Sequence, residues 1–224
     1  MVFSTQIVTK GKKYSCIIFD LDGTLINTKY AFIKAFQAII YQKTGRNIPG
    51  ERLEILFGIP AREILDSFGI QTDGSIKWTE ALPEFDKHTH LFPGVYKSIY
   101  TLSMCVEVGI ITSRLEMELR RSLEYFRLFD FFHHLVCTDH TCRHKPDPEP
   151  LQYFLKISGR NANEVLYIGD TTSDLECAKA CSVDFGLAAW AVCSRELKES
   201  STYVFHSPMN VLKHLGITSA DERR

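Results

Sequence analysis

The chain has 224 residues, 45% of them hydrophobic and 24% charged, which is long enough for one core domain and a modest insertion. Its 26 basic and 27 acidic side chains leave a formal net charge of −1. That balance argues against broad attraction to nucleic acid or an anionic membrane, so any site for a charged ligand has to be local.

The seven cysteines are an odd number without zinc spacing. The nearest approach to a zinc site, Cys137 and Cys142 among His133, His134, His140 and His144, is better explained by the Lys145-Pro146 segment that follows it. The cysteines read as reduced thiols, most of them in or beside apolar runs, rather than as a disulfide framework. No apolar stretch reaches the length of a membrane span or follows the N-terminal lysines as a signal peptide would, so a soluble, cytoplasmic protein is expected.

Short β-rich runs alternate with longer helical patterns, which predicts an α/β domain with a mainly parallel sheet. The first strand is Ser15–Asp20. From Thr28 to His90 the interval is too long for a simple crossover and carries no strand signal. Tyr30–Tyr41 has Phe32, Ala35, Phe36 and Ile39 at helical spacing; Leu53–Phe57, Ala61–Phe68 and Ile76–Phe85 follow, separated by glycines and prolines. This predicts a small helical module, residues 28–90, inserted into a sheet domain formed by residues 1–27 and 91–224. Leu91-Phe92-Pro93-Gly94 brings the chain back. Helices are then expected at Val95–Met104, Leu115–Phe126, Pro148–Ile157, Ser173–Cys181 and Pro208–Leu215. Strands are expected at Glu107–Thr112, His134–Cys137, Val165–Gly169 and Val183–Leu187, with Thr202–Phe205 as an edge strand. Pro148 suits a helix first turn, and Ser173 with Glu176 reads as a capping box. The first four strands end in, or run into, polar residues. Ligands of open α/β sheets bind at the carboxyl ends of strands, so these polar ends are expected to converge.

The strongest local signal is Ile17-Ile18-Phe19-Asp20-Leu21-Asp22-Gly23-Thr24, a buried strand delivering two carboxylates into a turn where Gly23 lets the backbone bend. Asp20-Leu21-Asp22-Gly23-Thr24 closely resembles the first motif of the haloacid dehalogenase superfamily, Asp-x-Asp-Gly-Thr. The resemblance implies that Asp20 is a nucleophile forming an aspartyl-phosphate, and also a magnesium ligand. It implies that Asp22 is the general acid/base, with its backbone carbonyl on the metal.

Three further motifs follow in the family's order. Glu107 to Arg114, ending in Ile111-Thr112-Ser113-Arg114, matches the second; Thr112 would then hydrogen-bond the transferring phosphoryl group with the Ser113 amide beside it. His144-Lys145-Pro146-Asp147-Pro148 matches the third, making Lys145 the cation that neutralises phosphate and nucleophile. Val165 to Asp174, with Gly169-Asp170-Thr171-Thr172-Ser173-Asp174 at its end, matches the fourth. It puts Asp170 on Mg²⁺ and Asp174 at or near the metal, through water or as a partner of Lys145. Oxygen-only, carboxylate-rich ligation suits magnesium rather than zinc.

The resemblance covers Ser15 to Ala189 and implies a Rossmann-like core with an α-helical cap. The insertion resembles that of the phosphoglycolate phosphatase and β-phosphoglucomutase branch, from which Asn27 departs because an acidic residue often stands there. The implied activity is Mg²⁺-dependent hydrolysis of a small phosphorylated metabolite. Asp22 argues against a haloacid dehalogenase proper, which has no use for an acid at that position. A sugar-phosphate mutase is the nearest alternative, with Gly58 and Arg62 a partial match to its cap; a non-catalytic phosphometabolite-binding protein is a second. Arg62 is the candidate cap residue for touching substrate, against the alternative of a solvated arginine on the exposed face of its helix.

Overall fold

The computed structural model describes residues 13–56, 61–71, 85, 87–191 and 193–217. Over these residues the elements in chain order begin with β1 (Cys16–Phe19), β2 (Ile26–Asn27), α1 (Lys29–Thr44), α2 (Gly50–Glu54), α3 (Ala61–Ser67) and β3 (His90–Leu91). They continue with α4 (Val95–Ser103), β4 (Glu107–Ile111), α5 (Glu116–Tyr125), β5 (His134–Val136), α6 (Glu149–Ser158), β6 (Val165–Gly169), α7 (Thr172–Ala180), β7 (Asp184–Ala188), α8 (Arg195–Ser200), β8 (Tyr203–Phe205) and α9 (Pro208–His214). The chain divides into two compact units, Met1–Ile26 with Leu91–Arg224, and Asn27–His90.

In the larger unit six strands form one sheet in the order β5-β4-β1-β6-β7-β8, and every neighbouring pair is parallel. This is the Rossmann-like architecture. Strand side chains alternate between faces, and both faces are covered here, which is why the strands read as nearly unbroken apolar runs. Ile17 and Phe19 of β1 enter one core cluster, with Val95, Ile99 and Leu102 of α4, Leu119 and Leu123 of α5, and Val211 of α9. Cys16 and Ile18 enter the other, with Leu151 and Phe154 of α6, Leu175 and Ala178 of α7, and Leu197 of α8. After β1 the chain builds β4 and β5 outward on one side, then crosses to β6, β7 and β8 on the other. β1 therefore sits at the point where strand order reverses, and its carboxyl end opens on the crevice where such sheets bind ligands.

Several expectations shift. The capping box of the helix after β6 is Thr171 with Asp174, not Ser173 with Glu176: Thr171 is extended (φ −114°, ψ 160°), and its hydroxyl accepts from the Asp174 amide at 3.2 Å. The helix starts at Thr172, so Ser173 already lies inside the first turn. Pro148 stands at the N-cap of α6 rather than within its first turn. The fifth expected strand sits one residue later, at Asp184–Ala188. α8 was not anticipated; it is six residues long, Leu197 is its one buried side chain, and so it carries no hydrophobic period. Its start is set by Ser194, whose Oγ accepts from the Leu197 amide at 3.2 Å. β2 and β3, two residues each, pair with one another and were also unsignalled.

In the smaller unit Phe36, Ile39 and Ile40 of α1 pack with Ile48, Leu53, Ile64, Leu65, Phe68 and Ile70 in a separate core. α1 runs beyond the expected Tyr41, until Gly45 ends it in a left-handed cap (φ 70°). The second expected helix, Leu53–Phe57, is realised earlier, as Gly50–Glu54. The fourth, Ile76–Phe85, lies outside the described residues except for Phe85, as does Gly58. Arg62 is in the first turn of α3, and its side chain is outside the described part of the protein.

Candidate active site

Adjacent strands carry the motif residues to one edge of the sheet. β1 pairs with β6 so that Phe19 lies opposite Ile168, and with β4 so that Phe19 lies opposite Ile110. Asp20 donates its amide to the Ile168 carbonyl at 2.8 Å and so stands at the strand end beside Gly169 and Asp170. The buried Thr112 follows β4 directly, with its amide bonded to the Val136 carbonyl at 2.9 Å and its Oγ1 accepting from the Arg114 amide at 3.3 Å. Ser113 is exposed.

Lys145 arrives on the loop between β5 and α6. Its Nζ lies 2.7 Å from Oδ1 of Asp20 and 2.7 Å from Oδ1 of Asp174, with the lysine side chain only 7% exposed. Asp20, Asp170 and Asp174 offer carboxylate oxygens that all lie within 4.8 Å of one another. Two glycines make this possible. Gly23, at φ +84°, has no Cβ where one would run into the Asp170 carboxylate, and a Cβ on Gly169 would stand 2.6 Å from Asp174 Cγ.

The three carboxylates differ in what holds them. Asp174 is fully buried and saturated: Oδ1 accepts from Lys145 and from Tyr167 Oη (2.8 Å), and Oδ2 accepts from the Thr171 amide (3.1 Å) and hydroxyl (2.6 Å). Burial is the largest influence on its pKa and works to raise it. The charge and hydrogen bond of Lys145, with the donors from Thr171 and Tyr167, outweigh burial and hold Asp174 below the ordinary carboxylate range. Asp170 accepts from Thr24 Oγ1 at 3.0 Å. Burial, reinforced by the charges of Asp20 and Asp174, pushes its carboxyl well above the usual range. Burial likewise pushes Asp20 up, to about 7, against the opposing pull of Lys145. Burial alone would lower the Lys145 ammonium, but the charges of Asp174 and Asp20 prevail and keep it protonated. One lysine thus faces three buried carboxylates, and a divalent cation fits the remaining negative charge in an all-oxygen donor set.

The Asp22 carboxylate stays outside this cluster. Arg114 grips it with one edge of its guanidinium, Nε donating to Oδ2 at 2.8 Å and Nη2 to Oδ1 at 2.5 Å. The sequence expectation had put only the main-chain carbonyl of Asp22 on the metal. Four residues without an expected role belong to the surroundings of the site: Arg114, Thr24, Tyr167 and Trp190, whose indole Nε1 donates to the Thr24 carbonyl at 2.8 Å. Arg114 and Thr24 stand inside quoted motifs, so adjacency was an available signal; Tyr167 reads simply as a core strand residue. Among the described residues, all seven cysteines are free thiols and only Cys142 is exposed. No described helix is long and apolar enough to cross a membrane.

The family model for haloacid dehalogenase-like hydrolases matches residues 17–188, and the chain belongs to that family of enzymes. The chain is 30% identical over 187 residues to a phosphoglycolate phosphatase of Pseudomonas syringae pv. syringae, covering 77% of this chain and 68% of that one. It is 27% identical over 216 residues to the pyrophosphatase PpaX of Halalkalibacterium halodurans, covering 90% and 96%. Among solved structures it is similar to a Lactobacillus plantarum protein provisionally named a phosphoglycolate phosphatase, with a TM-score of 0.78 and 26% identity over 90% of this chain and 99% of that one.

Proposed function

We propose that this protein is a Mg²⁺-dependent phosphatase that hydrolyses a small phosphate monoester through an aspartyl-phosphate on Asp20. The observation that carries the reading is the contact of Lys145 with Asp20 and Asp174 inside a buried cluster of three carboxylates. The phosphoglycolate phosphatase relative supports a phosphate monoester as substrate, and the pyrophosphatase relative supports hydrolysis of a phosphoryl group more broadly.

In the first step an Asp20 oxygen forms a bond to phosphorus as the ester oxygen leaves, and Asp22 gives that oxygen a proton. Lys145 offsets negative charge on the nucleophile and on the phosphoryl oxygens. In the second step Asp22 takes a proton from water, the water oxygen bonds to phosphorus, and phosphate leaves Asp20. Thr112 and the Ser113 amide, at the end of the neighbouring strand, are assigned to hold the phosphoryl oxygens.

Mg²⁺ would be held by Asp20 and Asp170, with the Asp22 carbonyl, and would supply positive charge against the transferring phosphoryl group. Because both oxygens of Asp174 are already occupied by protein donors, its role is to anchor Lys145 beside the metal rather than to ligate it directly. The helical unit, residues 28–90, is assigned as a cap that excludes water, with Arg62 its candidate contact to the leaving group.

The test is phosphate release from 4-nitrophenyl phosphate and from a panel of phosphorylated metabolites, with and without Mg²⁺, by wild type and Asp20→Asn. Turnover that needs Mg²⁺ and vanishes in a folded Asp20→Asn protein supports the reading. Equal turnover in the two proteins would falsify it. Isomerisation of a phosphorylated sugar in place of phosphate release would return the mutase alternative.

A further inference from the structure

Asp22 has a partner that the motif does not call for. The Arg114 guanidinium closes on both of its carboxylate oxygens in a bidentate pair, across 92 residues of sequence. Such a planar fork fixes the rotation and the distance of a carboxylate together, which a point charge cannot do.

Arg114 is itself held at three places. Its amide donates to Thr112 Oγ1 at 3.3 Å, and its carbonyl accepts from the Thr138 amide at 3.0 Å and hydroxyl at 3.2 Å. Its third guanidinium nitrogen, Nη1, donates to Ser122 Oγ at 2.7 Å, and Ser122 is a buried residue of α5. The arginine side chain is 10% exposed while that of Asp22 is 35% exposed. The fixed partner is therefore the arginine, and the more accessible group is the carboxylate that it aims.

We propose that Arg114 is a positioning residue that orients the Asp22 carboxylate for proton transfer to and from the reacting oxygens. The inference rests on the assignment of Asp22 as general acid/base. Arg114 acts through Asp22 and makes no contact with the substrate. The arrangement couples the second motif to the first: Thr112, assigned to the phosphoryl group, and Arg114, which aims the acid, are joined by their own hydrogen bond, so phosphoryl position and proton-donor position share one support.

The test uses phenyl phosphates graded in leaving-group acidity, measured in single-turnover phosphorylation and in steady state, on wild type, Arg114→Ala, Arg114→Lys, Asp22→Asn and the Arg114→Ala/Asp22→Asn double variant. Arg114→Ala is expected to lose about 10- to 100-fold in kcat, the scale of a misplaced catalytic group, with KM within about threefold. The loss should grow as the leaving group becomes less acidic, as it should for Asp22→Asn. In the Asp22→Asn background, removing Arg114 should cost nothing further. Arg114→Lys, with a single point donor, should recover only part of the loss. Ser122→Ala keeps the arginine but removes the Ser122 hydroxyl from Nη1; it should fall in the same direction by about two- to fivefold, and it carries the test if Arg114→Ala does not fold. An additive double variant, a raised KM with unchanged kcat, or a loss independent of leaving group overturns the role of Arg114. If Asp22→Asn itself shows no leaving-group dependence, the acid/base assignment fails first and the positioning role falls with it.

Discussion

The hydroxyl of Thr24 donates a 3.0 Å hydrogen bond to Oδ1 of Asp170, joining the turn after β1 to the end of β6 across 146 residues of sequence. The Thr24 carbonyl, in turn, is held by the indole of Trp190. The orientation of Asp170, assigned above to Mg²⁺, therefore depends on a residue that would not itself touch the metal. Outer partners of this kind set metal affinity about 10- to 100-fold. Thr24→Val, nearly equal in volume, should weaken Mg²⁺ binding by about tenfold while leaving the fold intact. Thermal melting titrated with Mg²⁺ reads this without any substrate; an unchanged midpoint concentration would show that Thr24 does not set the carboxylate.

Gly23 combines a left-handed backbone (φ +84°) with the close approach of the Asp170 carboxylate. Gly23→Ala meets both obstacles. The conformational cost alone is about 1–2 kcal/mol, and the methyl group additionally has to displace Asp170 or the turn. The expected result is lower stability in urea together with loss of the Mg²⁺-induced rise in melting temperature. A variant with wild-type stability and a wild-type Mg²⁺ response would mean that the turn relaxes freely.

The acidity of Asp20 gives a pH dependence of definite sign. Burial raises its carboxyl from the ordinary carboxylate range to about 7. Between about pH 4 and 7 the folded protein holds a proton there that the unfolded chain has released, so this group stabilises the fold as pH falls through 7 and the contribution is lost as pH rises. Asp170, raised by the same burial, acts in the same direction. Metal-free wild type should gain stability through Asp20 on going from about pH 7.5 to 5.5, and Asp20→Asn, which has no proton to take up, should gain less over that interval. Mg²⁺ competes with protons for the carboxylates, so its stabilising effect should shrink as pH falls. Parallel stability–pH curves for wild type and Asp20→Asn would contradict the raised pKa of Asp20.

Element types were legible because they are local properties. Apolar runs such as Cys16–Phe19 and Val165–Gly169 announce strands covered on both faces, and the observed strands lie within a residue or two of the expected ones. The motif residues were legible for a similar reason: an ionisable side chain directly after such a run stands at a strand end, whatever the rest of the chain does. Where local signals competed, the reading slipped. Thr171 and Ser173 each begin a plausible capping box, and the direction in which the chain leaves β6 selects Thr171.

The sequence by itself determined that an α/β sheet would carry Asp20, Thr112, Lys145 and Asp170 to strand ends or to loops beside them, because alternation and punctuation are written residue by residue. Only the tertiary structure decided which of these groups meet. β1 lies between β4 and β6, and that order comes from packing across the whole sheet rather than from any one segment. It brings Lys145 to Asp20 across 125 residues and Arg114 to Asp22 across 92. It also sorts three chemically identical carboxylates: Asp174 is saturated and held ionised by its donors, while Asp20 and Asp170 are raised by burial. Burial and partner donors, not residue type, make that distinction, and both are properties of the folded chain.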